Sequence, residues 1–123
     1  VGGLLTFANA ARIVGGGGVI KDVKLVDDAG QDVELELWLF NQVFTAMADN
    51  APWAPAEADL ENWIATITID TYFAAGTPSV ANPEVSKRYD LVGTSLFGQL
   101  VTRGAPTYAA IDDLTVKVGL LQD

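Results

Sequence analysis

The sequence predicts an all-β domain, an antiparallel β-sandwich of jelly-roll type with about seven strands and one short helix. Three observations lead there. Val33-Glu34-Leu35-Glu36-Leu37-Trp38-Leu39-Phe40 alternates apolar and acidic residues before turning apolar on both parities. Period-two alternation marks a strand with one buried face. Trp63-Ile64-Ala65-Thr66-Ile67-Thr68-Ile69 is dense in β-branched residues, which suit a pleated, half-buried surface. Gly- and Pro-bearing turns separate several further short apolar runs, and two packed antiparallel layers satisfy such a pattern.

The 123 residues suit a single domain spanning 1–123, with 1–7 as a possible N-terminal arm or a first strand. A chain of this length buries enough surface to fold without a metal or disulfide staple. In order, 4–13 reads as a strand with Leu5, Phe7 and Ile13 on one parity. The run Gly15-Gly16-Gly17-Gly18 reads as a connection between strands, since glycine loses the most backbone entropy on ordering. Strand 19–26 follows, with Val23 and Leu25 inward and Lys24 outward. Across the acidic turn 27–32 it is expected to form a hairpin with strand 33–41.

Residues 41–50 leave the strand pattern, and Ala51-Pro52-Trp53-Ala54-Pro55 is extended, because each proline restricts itself and its predecessor. A short helix is expected at 55–61, with Pro early and Glu57, Asp59 and Glu61 where the helix dipole favours acids. Strand 63–73 puts Trp63, Ala65, Ile67 and Ile69 on one face. Segment 74–83 reads as a long loop. Strand 84–92 sets Lys87 and Arg88 on opposite faces, so this adjacent pair makes no basic patch. Strand 95–103 is interrupted by Gly98, a bulge or a close sheet contact. A loop at 104–108 and a final strand at 114–120 complete the chain.

Composition bears on function. The net charge is −9, from 16 acidic and 7 basic residues, so direct nucleic-acid binding, which needs clustered Lys and Arg, is not expected. There is no histidine and no cysteine, which removes the commonest general base, transition-metal ligand and thiolate. No apolar run reaches membrane-spanning length, and Val1-Gly2-Gly3 lacks a basic leader segment. The glycine run is not followed by the Gly-Lys-Ser/Thr of a phosphate loop. The acids of turn 27–32 lack the spacing of a calcium loop and read as solvated turn residues. Glu57, Asp59 and Glu61 have no base, nucleophile or electrophile nearby in sequence. No catalytic, cofactor-binding or metal site is expected, and a carboxylate-pair hydrolase is the surviving enzymatic alternative. With half the residues hydrophobic and only 19% charged, part of the surface is expected to meet partners.

Several stretches resemble small head proteins of tailed bacteriophages. They are Gly2-Gly3-Leu4-Leu5-Thr6-Phe7-Ala8-Asn9-Ala10-Ala11-Arg12, Leu35-Glu36-Leu37-Trp38-Leu39-Phe40, Asp49-Asn50-Ala51, Gly93-Thr94-Ser95-Leu96-Phe97, and Ala105-Pro106-Thr107-Tyr108-Ala109-Ala110 running into Asp112-Asp113-Leu114. The resemblance implies a non-enzymatic capsid decoration, or cement, protein on the outer surface of the virion. Such a protein would bind the major capsid protein, as a homotrimer at local threefold axes, and stabilise contacts between capsid subunits. Trp38, Phe40, Phe44, Met47 and Trp53 are the candidate partner contacts, because aromatic residues and Met are enriched in interface cores; capping the sandwich core is the other role open to them, favoured for Trp38 and Trp63. The alternatives are a head–tail connector or tail-tube subunit, or a carbohydrate-binding or adhesin-like sandwich.

Overall fold

A computed structural model describes residues 3–48, 52–102 and 114–123. The chain order is β1 (Leu5–Phe7), β2 (Gly17–Asp27), β3 (Leu35–Phe40), α1 (Glu57–Leu60), β4 (Trp63–Ile69), β5 (Phe73–Ala74), β6 (Ser79–Ala81), β7 (Glu84–Asp90), β8 (Leu96–Thr102) and β9 (Leu114–Gln122). All strand pairs are antiparallel. The expected all-β sandwich is therefore the fold. The expected strand 63–73 ends at Ile69; Phe73 opens the two-residue β5 of the other sheet, and the short β6 lies where the sequence reads as loop.

The first sheet has the order β1-β8-β3-β4. The second is built on β2. Strand β9 pairs with β2 from Gly18 to Asp27 along one edge. The other edge is shared by β7, opposite Gly17 to Asp22, and β6, opposite Leu25 to Asp27. Asn82-Pro83 joins those two, and proline cannot donate to a ladder. There Pro83 instead offers its carbonyl to the Val23 N–H at 3.1 Å.

The core lies between the sheets. Ile20, Val23 and Leu25 of β2 face Leu35, Leu37 and Leu39 of β3 and Leu96 of β8 in one cluster, all seven fully buried. The inward parity of β2 changes between Ile20 and Val23 because a bulge at Lys21 shifts the register against β9. A bulge adds one residue on one strand and bends it. Gly98 sits inward on β8, where a Cβ would lie 2.9 Å from the Trp38 carbonyl oxygen and 3.0 Å from Leu39 Cδ2. The close sheet contact is thus the reason for that glycine.

Two expectations on the N-terminal half are corrected. The first strand stops at Phe7, and Ile13 is 71% exposed. Asn9 takes a positive φ of 58° and turns the chain. Ala10 and Ala11 are buried there, their N–H groups both donating to the Thr94 carbonyl. Of the four glycines, Gly17 and Gly18 belong to β2 itself, because the β7 and β9 backbones approach too closely for any side chain. A Cβ on Gly17 would lie 2.0 Å from the Tyr89 carbonyl oxygen.

The expected hairpin between β2 and β3 is also corrected: the two strands lie in different sheets. Of the acids in the turn between them, Asp28 and Asp32 are exposed as expected, but Asp27 is not. Asp27 is fully buried. Its Oδ1 accepts the N–H groups of Ala29 and Gly30, each at 3.1 Å, and its Oδ2 those of Gln31 and Asp32 at 3.0 and 3.1 Å. One carboxylate thereby satisfies the backbone of an arch that crosses the sandwich. Asp32 accepts a hydrogen bond from the Ser79 hydroxyl of β6, and Tyr72 donates to the Val33 carbonyl at 2.8 Å.

At the other end, Tyr89 of β7 is buried and donates its hydroxyl to the Ala10 carbonyl at 2.6 Å. Burial, and secondarily the Asp123 charge, raise its ionisation above the ordinary tyrosine value. Gln122 Nε2 donates to the Asn9 carbonyl at 2.6 Å.

Asp27→Ala is expected to leave three backbone donors without their acceptor, Gly30 keeping its bond to the residue-27 carbonyl at 3.3 Å, and to lower unfolding free energy by about 2–4 kcal/mol. Asp27→Asn, which keeps one acceptor oxygen, should lose less; urea midpoints of both variants check the ranking. An acid whose folded ionisation point is raised contributes stability fully below its unfolded value and loses it as pH rises. Wild-type stability is therefore expected to fall above about pH 10, the unfolded tyrosine value. Tyr89→Phe should flatten that fall while lowering stability at neutral pH, both read from chemical denaturation across pH 7–11.

Candidate functional site

Residues beyond the inter-sheet core gather in two places. The first is the outer face of the β1-β8-β3-β4 sheet. Along β3 the residues opposite in parity to the core leucines are Glu36, Trp38 and Phe40. In register they oppose Val101, Gln99 and Phe97 of β8. The excursion after β3 folds back over this face. Phe44 stacks on Phe40 with ring centroids 4.0 Å apart, and Trp53 packs tilted on Trp38 at 5.2 Å. Between them the Met47 backbone is bound on both sides by the fully buried Gln99, N–H to Oε1 at 3.1 Å and Nε2 to carbonyl at 2.9 Å. Trp38 Nε1–H also donates to Glu36 at 3.0 Å.

The structure thus brings all five sequence-predicted contact residues onto one face. It turns Phe40 and Phe44 inward, at 0% and 6% exposure; these two are enclosed by their own chain. Trp38, Met47 and Trp53 are half-buried. The second apolar face of β3 is covered by the chain's own loop. Aromatic pairs of this kind contribute beyond their buried area. Asp59 of α1 accepts the Thr45 N–H at 3.3 Å, so one helix acid also anchors the excursion. The helix is otherwise as expected, with Glu57 and Asp59 in its first turn.

The second place is one end of the sandwich, where sequence reasoning did not look. Hydrogen bonds tie its loops into a continuous rim. Gly15 N–H donates to the Gly93 carbonyl at 3.1 Å, Val92 N–H to Asn41 at 3.1 Å, and Asn41 N–H to Asn62 at 2.9 Å. Leu91 N–H donates to Gly16 at 2.9 Å. The same loops carry Ile13, Val14, Val43 and Val92, each more than 50% exposed. Trp63 departs from its expected core face because the register shifts between Leu39 and Phe40: Leu39 pairs with Ala65 but Phe40 with Trp63. Ile64 is the extra residue, and it is buried in the place its parity denied it. The Trp63 Nε1–H then reaches Thr66 Oγ1 at 2.9 Å.

Polar groups elsewhere serve the fold. An open depression of about 490 Å³ on the second sheet is lined by Lys21, Asp22, Asn82, Glu84, Val85 and Ser86. It follows from the bulge at Lys21 and the break at Asn82. With its amide oriented to satisfy its neighbours, Asn82 donates to the Val23 carbonyl at 2.7 Å and to Asp22 Oδ2 at 3.0 Å. A Cβ on Gly119 would collide with the Asp22 carboxylate, so Asp22 packs flat against β9. Arg88 and Asp123 pair at 2.5 Å on the exposed surface, where such pairs add little. No group of three or more acidic side chains placed to hold a metal occurs among the described residues, and no described helix is long and apolar enough to cross a membrane. The loop residues 104–108 of the sequence reading, and its phage-like segments at 49–51 and 105–113, lie outside the described residues.

No protein-family model, curated protein or solved structure matches the chain.

A double-mutant cycle of Trp38→Ala and Trp53→Ala is expected to show a coupling of about 0.5–1.5 kcal/mol in unfolding free energy. Additive single effects would mean that the two rings do not hold the excursion to the sheet.

Proposed function

We propose that this chain is a non-enzymatic structural protein of a tailed-bacteriophage virion, a decoration or cement protein that binds the outer capsid surface and bridges major capsid subunits. The observation that carries this reading is the apolar rim. Large side chains exposed together on loops that are themselves hydrogen-bonded into a rim form a surface suited to burial against another protein. The wiring of the polar groups supports the same reading. Asp27, Asp32, Gln99 and Tyr89 are engaged in holding this chain's own backbone and side chains, as a load-resisting clamp requires.

The placement of the phage-like segments adds support. Ala10 and Ala11 of the first segment bond to Thr94 of the fourth, at 2.8 and 3.2 Å. Phe40 of the second pairs with Phe97 of the fourth. Three stretches far apart in sequence therefore meet in one half of the fold, next to the rim. Three copies around local threefold axes of the shell would complete the arrangement.

Cryo-electron microscopy of the intact particle tests the proposal. Density for this chain on the outer shell, bridging major capsid subunits, is the expected result. Density confined to the neck or tail would move the function to a connector or tube subunit, and absence from the particle would overturn it.

A further inference from the structure

From the rim's chemistry we infer that the loop end of the sandwich is the docking face, and that it takes a protein surface with an apolar centre and a basic border. This rests on the capsid-binding reading above and names its contact. Ile13 and Val14 are 71% and 76% exposed, Val43 61% and Val92 57%. They are the tips of three loops held together by the bonds from Gly15 to Gly93 and from Val92 to Asn41. α1 and the turn after it join them through the bond from Asn41 to Asn62, and Leu60 of α1 is 41% exposed. Because the loops are mutually bonded, the patch is preorganised, and little ordering entropy is lost on docking.

Charge selects the partner. Among the described residues of these loops the acids are Glu57, Asp59 and Glu61, against the single base Arg12. The whole chain carries −9. Two copies meeting through this end would bring like-charged borders together, which electrostatic complementarity disfavours. Phosphate backbones are disfavoured on the same ground. A basic-bordered protein surface would gain from both features: the apolar centre is buried, and the border attracts the acids.

The probe is a shell assembled from the major capsid protein of the same particle, free of this chain. Wild type, Val14→Glu/Val92→Glu and Phe73→Glu are titrated onto it. Phe73 is 64% exposed but lies on β5, away from the rim. The double variant is expected to bind about 10-fold more weakly or worse, with Phe73→Glu within about twofold of wild type. Wild-type binding should weaken as salt rises. Ile13→Glu provides the same test should the double variant fail to fold. Wild-type binding with rim variants unimpaired would overturn this inference and leave the capsid reading intact. Wild type that ignores the shell would overturn the capsid reading and this assignment with it. Binding that strengthens with salt would overturn the basic border. Sedimentation showing a wild-type oligomer that the double variant reduces to monomer would assign the face to a second copy instead, against the inference.

Discussion

Everything in this fold depends on β2 being paired along both edges and buried at once. Its eleven residues meet β9 on one side and β7 and then β6 on the other. Its inward side chains Ile20, Val23 and Leu25 are fully buried against the opposite sheet. A strand in that position cannot also hairpin with its successor in sequence. The chain must leave the sheet immediately after Asp27, and the arch it makes exposes four N–H groups to a buried carboxylate. A buried carboxylate without donors is costly, so the crossing holds because Asp27 at its first residue collects these partly buried N–H groups. The bulge at Lys21 serves the same strand, since its one extra residue lets Val23 face inward after an inward Ile20.

That constraint explains what the sequence shows and what it hides. Alternation marks β3 because one of its faces meets a purely apolar core, and the positions of Leu35, Leu37 and Leu39 follow from it directly. The acidic turn 27–32 is legible only as a turn. Its composition is that of a solvated hairpin loop, and nothing local distinguishes an acid that faces water from one that collects four backbone donors. The bulge at Ile64 is equally silent. A strict count of two puts Trp63 with the core; one inserted residue turns it to the outer face of the sheet, over Thr66. Gly98 is the opposite case, where a single glycine inside an apolar run announces the close approach of β3.

The candidate site divides the same way. The aromatic residues of β3 and the following excursion are legible as a group, because apolar residues on the second parity of a strand require a cover. What the pattern cannot supply is the direction of each side chain in an irregular segment, where no period operates. Phe44 goes in and Val43 goes out, at 6% and 61% exposure. The rim was invisible for a related reason. Ile13, Val14, Val43 and Val92 are single apolar residues scattered over 80 positions, and scattered surface apolar residues are ordinary. Only the hydrogen bonds that join Gly15, Gly93, Val92, Asn41 and Asn62 make them neighbours.

The two apolar regions differ in a way that bears on mechanism. On the outer face of the first sheet, Gln99 grips the Met47 backbone from both sides and two aromatic pairs seal the excursion down. That region is closed, although the buried Trp53 Nε1–H has no acceptor there among the described residues, and a partner would have to displace contacts in order to use Phe40 or Phe44. The rim has the reverse character. Its backbone is bonded, so it is held in place, while its large side chains point outward without cover. A surface that is rigid and uncovered could be buried against another protein without first unfolding anything, and its inter-loop bonds tie it to the ends of β2 and β3. In this fold the same few backbone bonds therefore both assemble the apolar rim and connect it to the most deeply buried strands.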